Sequence, residues 1–212
     1  MTLTLHVGSK RYSSWSLRPY LALAHTGAAF ECTTILLDTQ TTRDQIAAVN
    51  PAGKVPVLHH DGQVIWDSLA ICEYLHELYP AANLWPADRA RRARARAISA
   101  EMHSGFAALR RDMPMDVVAD KPGRGHTVEA LADARRVQAI WREQLAASNG
   151  PFLFGTFTIA DAMFAPVTSR FTTYGVDLDA ACRAYSEAVA ALPALRAWKQ
   201  DALAEPDTRA GK

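Results

Sequence analysis

The character of the chain changes at Pro80, and that change limits the folds open to it. Before Pro80, short β-rich runs alternate with helical ones. After it, alanine-rich segments with helical spacing follow one another and no convincing strand signal recurs. Leu3, Leu5 and Val7 fall on every second residue, the period of a strand with one buried face. Pro19 suits the first turn of a helix that runs to Gly27, a C′ glycine by position. Residues 30–37 are rich in β-branched side chains and read as a second strand. Thr42 and Gln45 have the capping-box spacing of a short helix that ends before Asn50 and Pro51. Two short apolar runs, 54–59 and 63–66, flank Asp61-Gly62 and predict a hairpin. Asp67 or Ser68 then caps a helix over about 69–79. The order through residue 80 is β-α-β-α-β-β-α. Its helical crossover implies that the first two strands are parallel, and the hairpin that the last two are antiparallel. The expected organisation is an α/β domain over residues 1–81, a linker near 83–88, and an all-helical domain over 88–212. That second domain should hold helices near 89–111, 127–147, 158–174, 179–191 and 193–203.

Composition removes several classes of function. Of 212 residues, 49% are hydrophobic and 21% charged, enough for a sizeable core. Lys plus Arg number 23 against 22 acids, so no overall field draws in nucleic acid or an acidic membrane. Cys32, Cys72 and Cys182 are far apart with no CxxC, which argues against a disulfide framework or a thiolate zinc site. No apolar run approaches the roughly 18 residues of a membrane span, and residues 1–10 alternate like a strand rather than a signal peptide. A reducing, cytoplasmic setting is the expectation. The seven histidines form no HxxxH pair, and no metal site is predicted. Arg89, Arg91, Arg92, Arg94 and Arg96 spread around a helix without interleaved aromatics. That pattern predicts a solvated helix start or a subunit contact, not a nucleic-acid surface. Trp141 and Trp198 lie in apolar helical patterns and are expected in the core.

Four local motifs remain, and three share one theme: holding a small, extended, peptide-like anion. Ser13, Ser14 and Arg18 lie between the first strand and the first helix, where free N–H groups and the helix dipole favour negative charge. A serine-rich turn with one N-cap accounts for the same residues. Val55-Pro56 follows a glycine-containing loop and precedes a strand. A cis bond there would turn the Val55 N–H and C=O outward to pair with another backbone, whereas a trans proline at a strand edge would not. Asp67 and Ser68 at a helix start suit the ammonium and carboxylate of an amino acid, beyond plain capping. Thr158 with Asp161 has capping-box spacing and reads as structural.

In this order, SSWSLR, NPAGKVPVL, DSLAICEYL and TIADAMFAP resemble the glutathione S-transferase family over nearly the whole chain, with a serine motif similar to that of the zeta class. The resemblance implies a thioredoxin-like N-terminal domain, an all-helical C-terminal domain and a homodimer, with glutathione as co-substrate between the domains. Carried over by position, Ser13 or Ser14 would activate the thiol. Val55, beside Lys54 and cis Pro56, would pair with the cysteinyl backbone. Asp67 and Ser68 would take the γ-glutamyl end, Gln40 the glycyl end, and Trp15 and Arg18 would also bind glutathione. The resemblance also departs from the zeta class, whose serines are followed by cysteine where this chain has Trp15; Asp67 is also shorter than the usual Glu or Gln.

A free thiol of pKa near 8.5 is only a few per cent ionised at neutral pH. Lowering it by about two units, worth roughly 2.7 kcal/mol, makes the thiolate dominant. Serine cannot be the base at pH 7, so its expected role is a hydrogen bond to the sulfur. The thiolate would then attack a small apolar electrophile. An isomerase of the maleylacetoacetate type, or a non-catalytic binding protein of the same fold, are the alternatives. The pocket for the second substrate is expected at Met102, His103, Phe106 and Arg110, although core or dimer packing explains the same helical spacing.

Overall fold

The computed structural model describes residues 2–209; Met1 and residues 210–212, the end of the expected helical domain, lie outside the described part. Among the described residues, four strands and nine α-helices follow in the order β1 (Leu3–Gly8), α1 (Ser14–His25), β2 (Phe30–Ile35), α2 (Thr42–Val49), β3 (Val57–His60), β4 (Gln63–Ile65) and α3 (Ser68–Leu78). A 3₁₀ turn, Pro80–Ala82, leads to α4 (Arg89–Ser104), α5 (Ala107–Asp112), α6 (Val128–Ala146), α7 (Ile159–Tyr174), α8 (Ala180–Ala190) and α9 (Pro193–Ala204).

The sheet order is β2-β1-β3-β4, with β1 parallel to β2 and antiparallel to β3. Register sets Leu5 of β1 beside Cys32 and Leu58, so the alternating Leu3, Leu5 and Val7 all point into the core. The β3–β4 hairpin turns at Asp61-Gly62 as expected.

Three local expectations are corrected. Pro19 lies inside α1 rather than in its first turn, because the helix starts five residues earlier where the Ser13 hydroxyl accepts the Ser16 N–H at 3.3 Å. No Thr42–Gln45 box starts α2. Thr42 instead donates to the Leu36 carbonyl at 2.6 Å, and the Gln45 amide reaches Thr41 at 2.9 Å. The helix expected over 89–111 is two: Gly105 ends α4, and Phe106, at φ 61°, starts α5 in a new direction.

Helix α7 is the axis of the helical half: every residue but Thr172 is buried, and it packs against α1, α4 and α8. Asp161 reaches back to the Thr158 N–H at 2.8 Å and takes the Leu153 N–H at 3.0 Å, pinning the preceding loop to the helix start. Helix α1 faces α3 on one side and α7 and α9 on the other, so it forms the seam between the two halves. Trp198 of α9, fully buried, donates its indole N–H to the Lys10 carbonyl at 2.7 Å across that seam. Three arginines of α4 are engaged within the chain: Arg94 with Glu143, Arg96 with Glu73, Arg91 with the Phe154 carbonyl. Among the described residues, no helix is long and apolar enough to cross a membrane.

Candidate active site

Two loops and two helix starts meet at the seam and leave a crevice of about 430 Å³, lined by Trp15, Lys54, Val55, Pro56, Trp66, Asp67, Ser68 and His103. The Val55-Pro56 peptide is cis. Asn50 shapes the loop before it, donating to the Lys54 carbonyl at 2.6 Å and accepting from the Ala52 N–H at 3.0 Å. Val55, just before β3, makes no backbone hydrogen bond among the described residues and lines the crevice.

Asp67, not Ser68, is the N-cap of α3: one carboxylate oxygen accepts the Leu69 and Ala70 N–H groups at 3.0 and 3.3 Å. Its other oxygen lies 3.1 Å from His103 Nε2 of α4. Ser68 is fully buried, and its hydroxyl has no protein partner. A buried hydroxyl at a helix N-terminus, spared from capping, has a proton it can donate.

The hydroxyls before α1 divide in a similar way. Ser13 Oγ donates to Ser16 Oγ at 2.7 Å, and Ser16 Oγ also takes the Gly8 N–H at 3.0 Å, so Ser13 is tied into the cap that joins β1 to α1. The Ser14 hydroxyl makes no side-chain hydrogen bond among the described residues.

Trp15, 37% exposed, is held from behind: the Arg18 guanidinium sits 4.4 Å and the Arg110 guanidinium 4.9 Å from its ring, and His103 meets it edge-on at 5.2 Å. Arg18 is completely buried. Burial pushes its pKa well below the ordinary arginine value, helped by the nearby charges of Arg110 and Arg170.

Of the expected ligand-binding residues, Trp15, Lys54, Val55, Pro56, Asp67 and Ser68 come together in the crevice. Arg18 lies behind Trp15 rather than in the crevice, and Gln40 stands exposed in the turn before α2, off its lining. Of the four residues expected for a second pocket, only His103 lines the crevice. Met102 and Phe106 are in the core, and Arg110 turns its guanidinium onto the Gly105 carbonyl at 3.0 Å and the Met102 carbonyl. Trp66, 45% exposed, is a lining residue that periodicity did not single out.

A second cavity, about 550 Å³, has Arg11, Tyr12, Asp116, Lys121, Tyr174 and Arg209 on its walls. Its charges are paired: Arg11 with Asp116 at 3.0 Å and Asp207 at 2.9 Å, Arg209 with Asp38 at 2.6 Å. Sequence alone had no signal for it, because its walls come from five separated stretches of chain.

Comparison with known proteins agrees with this arrangement. Residues 12–78 match the glutathione S-transferase N-terminal domain family, and residues 86–199 the glutathione S-transferase C-terminal domain family. A probable maleylacetoacetate isomerase of Caenorhabditis elegans is 32% identical over 202 residues, 92% of each chain. Among solved structures, a zeta-class bacterial maleyl pyruvate isomerase is similar with a TM-score of 0.74 at 28% identity, covering 96% of this chain and 99% of that one. A Burkholderia glutathione transferase homolog with bound glutathione gives 0.73 at 26% identity, covering 97% and 100%. The chain belongs to the glutathione S-transferase family, an enzyme family, and its relatives include zeta-class isomerases.

Proposed function

We propose that the protein binds glutathione in the Val55–Ser68 crevice and uses its thiolate as the nucleophile in a cis–trans isomerisation of a maleyl-type enone. The observation that carries the binding is the junction of an open Val55 backbone with an unpartnered Ser68 hydroxyl and a capping Asp67 across one crevice. Val55 pairs with the cysteinyl N–H and C=O, Ser68 holds the γ-glutamyl carboxylate and Asp67 the ammonium. The peptide then runs toward the start of α1. There the helix N-terminus favours negative sulfur, and a serine hydroxyl donates to it. Ser14 is the hydroxyl whose proton is uncommitted; Ser13 can share the role only by leaving its cap.

The chemistry balances without a metal or redox partner. The thiolate adds to one alkene carbon, forming a C–S bond, while the π pair moves onto the conjugated carbonyl as an enolate. Rotation about the resulting single bond follows. The enolate then collapses, the double bond re-forms as trans, and the C–S bond breaks to return the thiolate. The names of the relatives support this outcome over simple conjugation. Trp15, in place of a cysteine, favours the second reading, conjugation of an electrophile, because no protein thiol stands beside the sulfur. The protein acts as a homodimer in the cytoplasm on either reading.

The test is to follow a cis-enone diacid by NMR with catalytic and with stoichiometric glutathione. Trans product at many turnovers per glutathione supports isomerisation. Consumption of one glutathione per product supports conjugation, and product formation independent of glutathione overturns both. The Ser14→Ala variant should lose 10²-fold or more in rate, about the effect of removing one oriented hydrogen-bond donor.

A further inference from the structure

The segment after α9 turns back over the loop between β1 and α1, and it is held in two different ways. Up to Glu205 the attachment is buried or runs through backbone. Trp198 reaches the Lys10 carbonyl, Asp201 pairs with the buried Lys10 ammonium, and Glu205 accepts the Lys10 and Arg11 N–H groups at 2.9 and 3.3 Å. Beyond Glu205 the attachment changes character. Pro206 and Asp207 are exposed, and side-chain charge ties residues 206–209 to the rest of the chain. Asp207 takes Arg11 at 2.9 Å and the Tyr12 hydroxyl, while Arg209 pairs with Asp38 at 2.6 Å and lies over the Tyr12 ring. Ion pairs that stay partly solvated add little stability and are screened by salt. Residues 206–209 therefore form a strap with a firm root at Glu205 and a loosely held far end.

What the strap covers is shaped for a carboxylate. One Asp207 oxygen takes the Arg11 guanidinium and the other the Tyr12 hydroxyl, a cation and a neutral donor side by side. Burial, then the Asp207 contact, pushes Tyr12 up to about 12, so it stays a donor. Arg11 is fixed from behind: its Nε and Nη2 donate to the two oxygens of Asp116 at 3.0 and 3.2 Å. Asp116 is buried and accepts the Val118 and Ala119 N–H groups, each at 3.2 Å. Lys121 lies 3.7 Å from the same carboxylate. Two cations thus share one buried carboxylate, and Asp207 supplies the second negative charge. Arg11, Tyr12 and Asp207 all line the cavity of about 550 Å³, a volume within the range of small-molecule sites, and Pro114 and Met115 give it an apolar wall. Tyr12 stands two residues before Ser14, at most about 8 Å of chain from the hydroxyl assigned to the thiol. We propose that Asp207 is an internal stand-in for a substrate carboxylate: the cradle of Arg11 and Tyr12 receives a carboxylate of the second substrate when the strap leaves it. The link to a second substrate rests on the reading above, whereas the carboxylate site itself does not.

Calorimetric titration of wild type and Asp207→Asn tests this with three ligands: succinate, an unreactive dicarboxylate, its neutral diamide, and reduced glutathione. Asparagine keeps the shape of the side chain and removes the competing charge. Asp207→Asn should bind succinate about 5-fold more tightly, because the fraction of molecules with a free cradle rises. Its binding of the diamide and of glutathione should not change. Succinate binding that is unchanged or weaker overturns the proposal. An equal gain for the diamide also overturns it, since access rather than charge recognition then changed. Adding Arg11→Met should abolish the gain, and a gain that persists removes Arg11 from the cradle. Should the Arg11→Met protein fail to fold with Asp116 unpaired, Tyr12→Phe in the Asp207→Asn protein takes its place. It should weaken succinate about 3-fold or more through the lost donor, and no change overturns the cradle. Succinate that binds neither wild type nor Asp207→Asn at about 10 mM overturns the site outright. Succinate binding as expected, without turnover of the cis-enone diacid, overturns the isomerase reading and leaves the carboxylate site standing.

Discussion

Asp67 and His103 join the two halves of the molecule at the crevice: His103 Nε2 of α4 lies 3.1 Å from the carboxylate oxygen of Asp67 that does not cap α3. In the proposed function this same oxygen takes the ligand's ammonium. The helical half therefore takes part in the site that the sheet half builds, through a pair that no local pattern connects.

Substitution at Asp67 should separate capping from charge. Asn is as good an N-cap as Asp, so Asp67→Asn should keep the melting temperature within a degree or two of wild type. Its KM for glutathione should rise about tenfold, the scale of one lost charge-assisted contact. Asp67→Ala should show the same KM and also lose about 1 kcal/mol of stability. Thermal melts and initial rates on the two variants check both parts, and an unchanged KM in both would remove Asp67 from ammonium binding.

The two serines should part company under mutation. Ser13→Ala removes an N-cap and should cost about 1 kcal/mol in urea unfolding. Ser14→Ala should stay within about 0.5 kcal/mol of wild type but raise the pKa of the bound glutathione thiol, followed by thiolate absorbance against pH.

Trp198→Phe tests the tether across the seam. It leaves the Lys10 carbonyl without its 2.7 Å donor in a buried setting and opens a small void, and the expected loss is about 2–3 kcal/mol by chemical denaturation. A loss below about 0.5 kcal/mol would mean that the loop after β1 is held by its other contacts.

Asp161 should leave a mark on the pH dependence of stability. Burial raises its pKa from the ordinary carboxyl range to about 6, against the pull of the Leu153 and Thr158 hydrogen bonds. The folded state then binds a proton more tightly than the unfolded one. The stabilisation tied to that proton is complete below about pH 4 and is lost as pH rises through about 6, by roughly 2–3 kcal/mol. Asp161→Asn cannot titrate. Its stability minus that of wild type should therefore increase between pH 4 and pH 7, whatever the offset from its altered hydrogen bonds. A difference that stays flat across that range contradicts the raised pKa.

Much of the site was legible in the chain because its elements are local. The Asn50–Pro56 loop, the Asp67 cap and the serines before α1 each lie within a few residues, and their capping and turn chemistry is written in residue types. The positions of Met102, Phe106 and Arg110 were not legible. Helical spacing puts Met102 and Phe106 on one face but does not say whether that face meets solvent or α7, and the break at Gly105 put Arg110 on α5, where its guanidinium turns back onto the end of α4.

By itself, the sequence determined the alternation of elements to Pro80, the helices beyond it apart from the break at Gly105, and most of the segments that line the crevice, since periodicity, caps and turn residues act over one or two turns of chain. Tertiary structure alone decided that Asp67 caps α3 while the buried Ser68 hydroxyl keeps no partner, that His103 crosses to Asp67, and that Arg18 is sealed behind Trp15 with no hydrogen-bond partner among the described residues. Those depend on how α1, α3 and α4 pack against one another, and burial and electrostatic partnership are properties of the packed seam rather than of any segment within it.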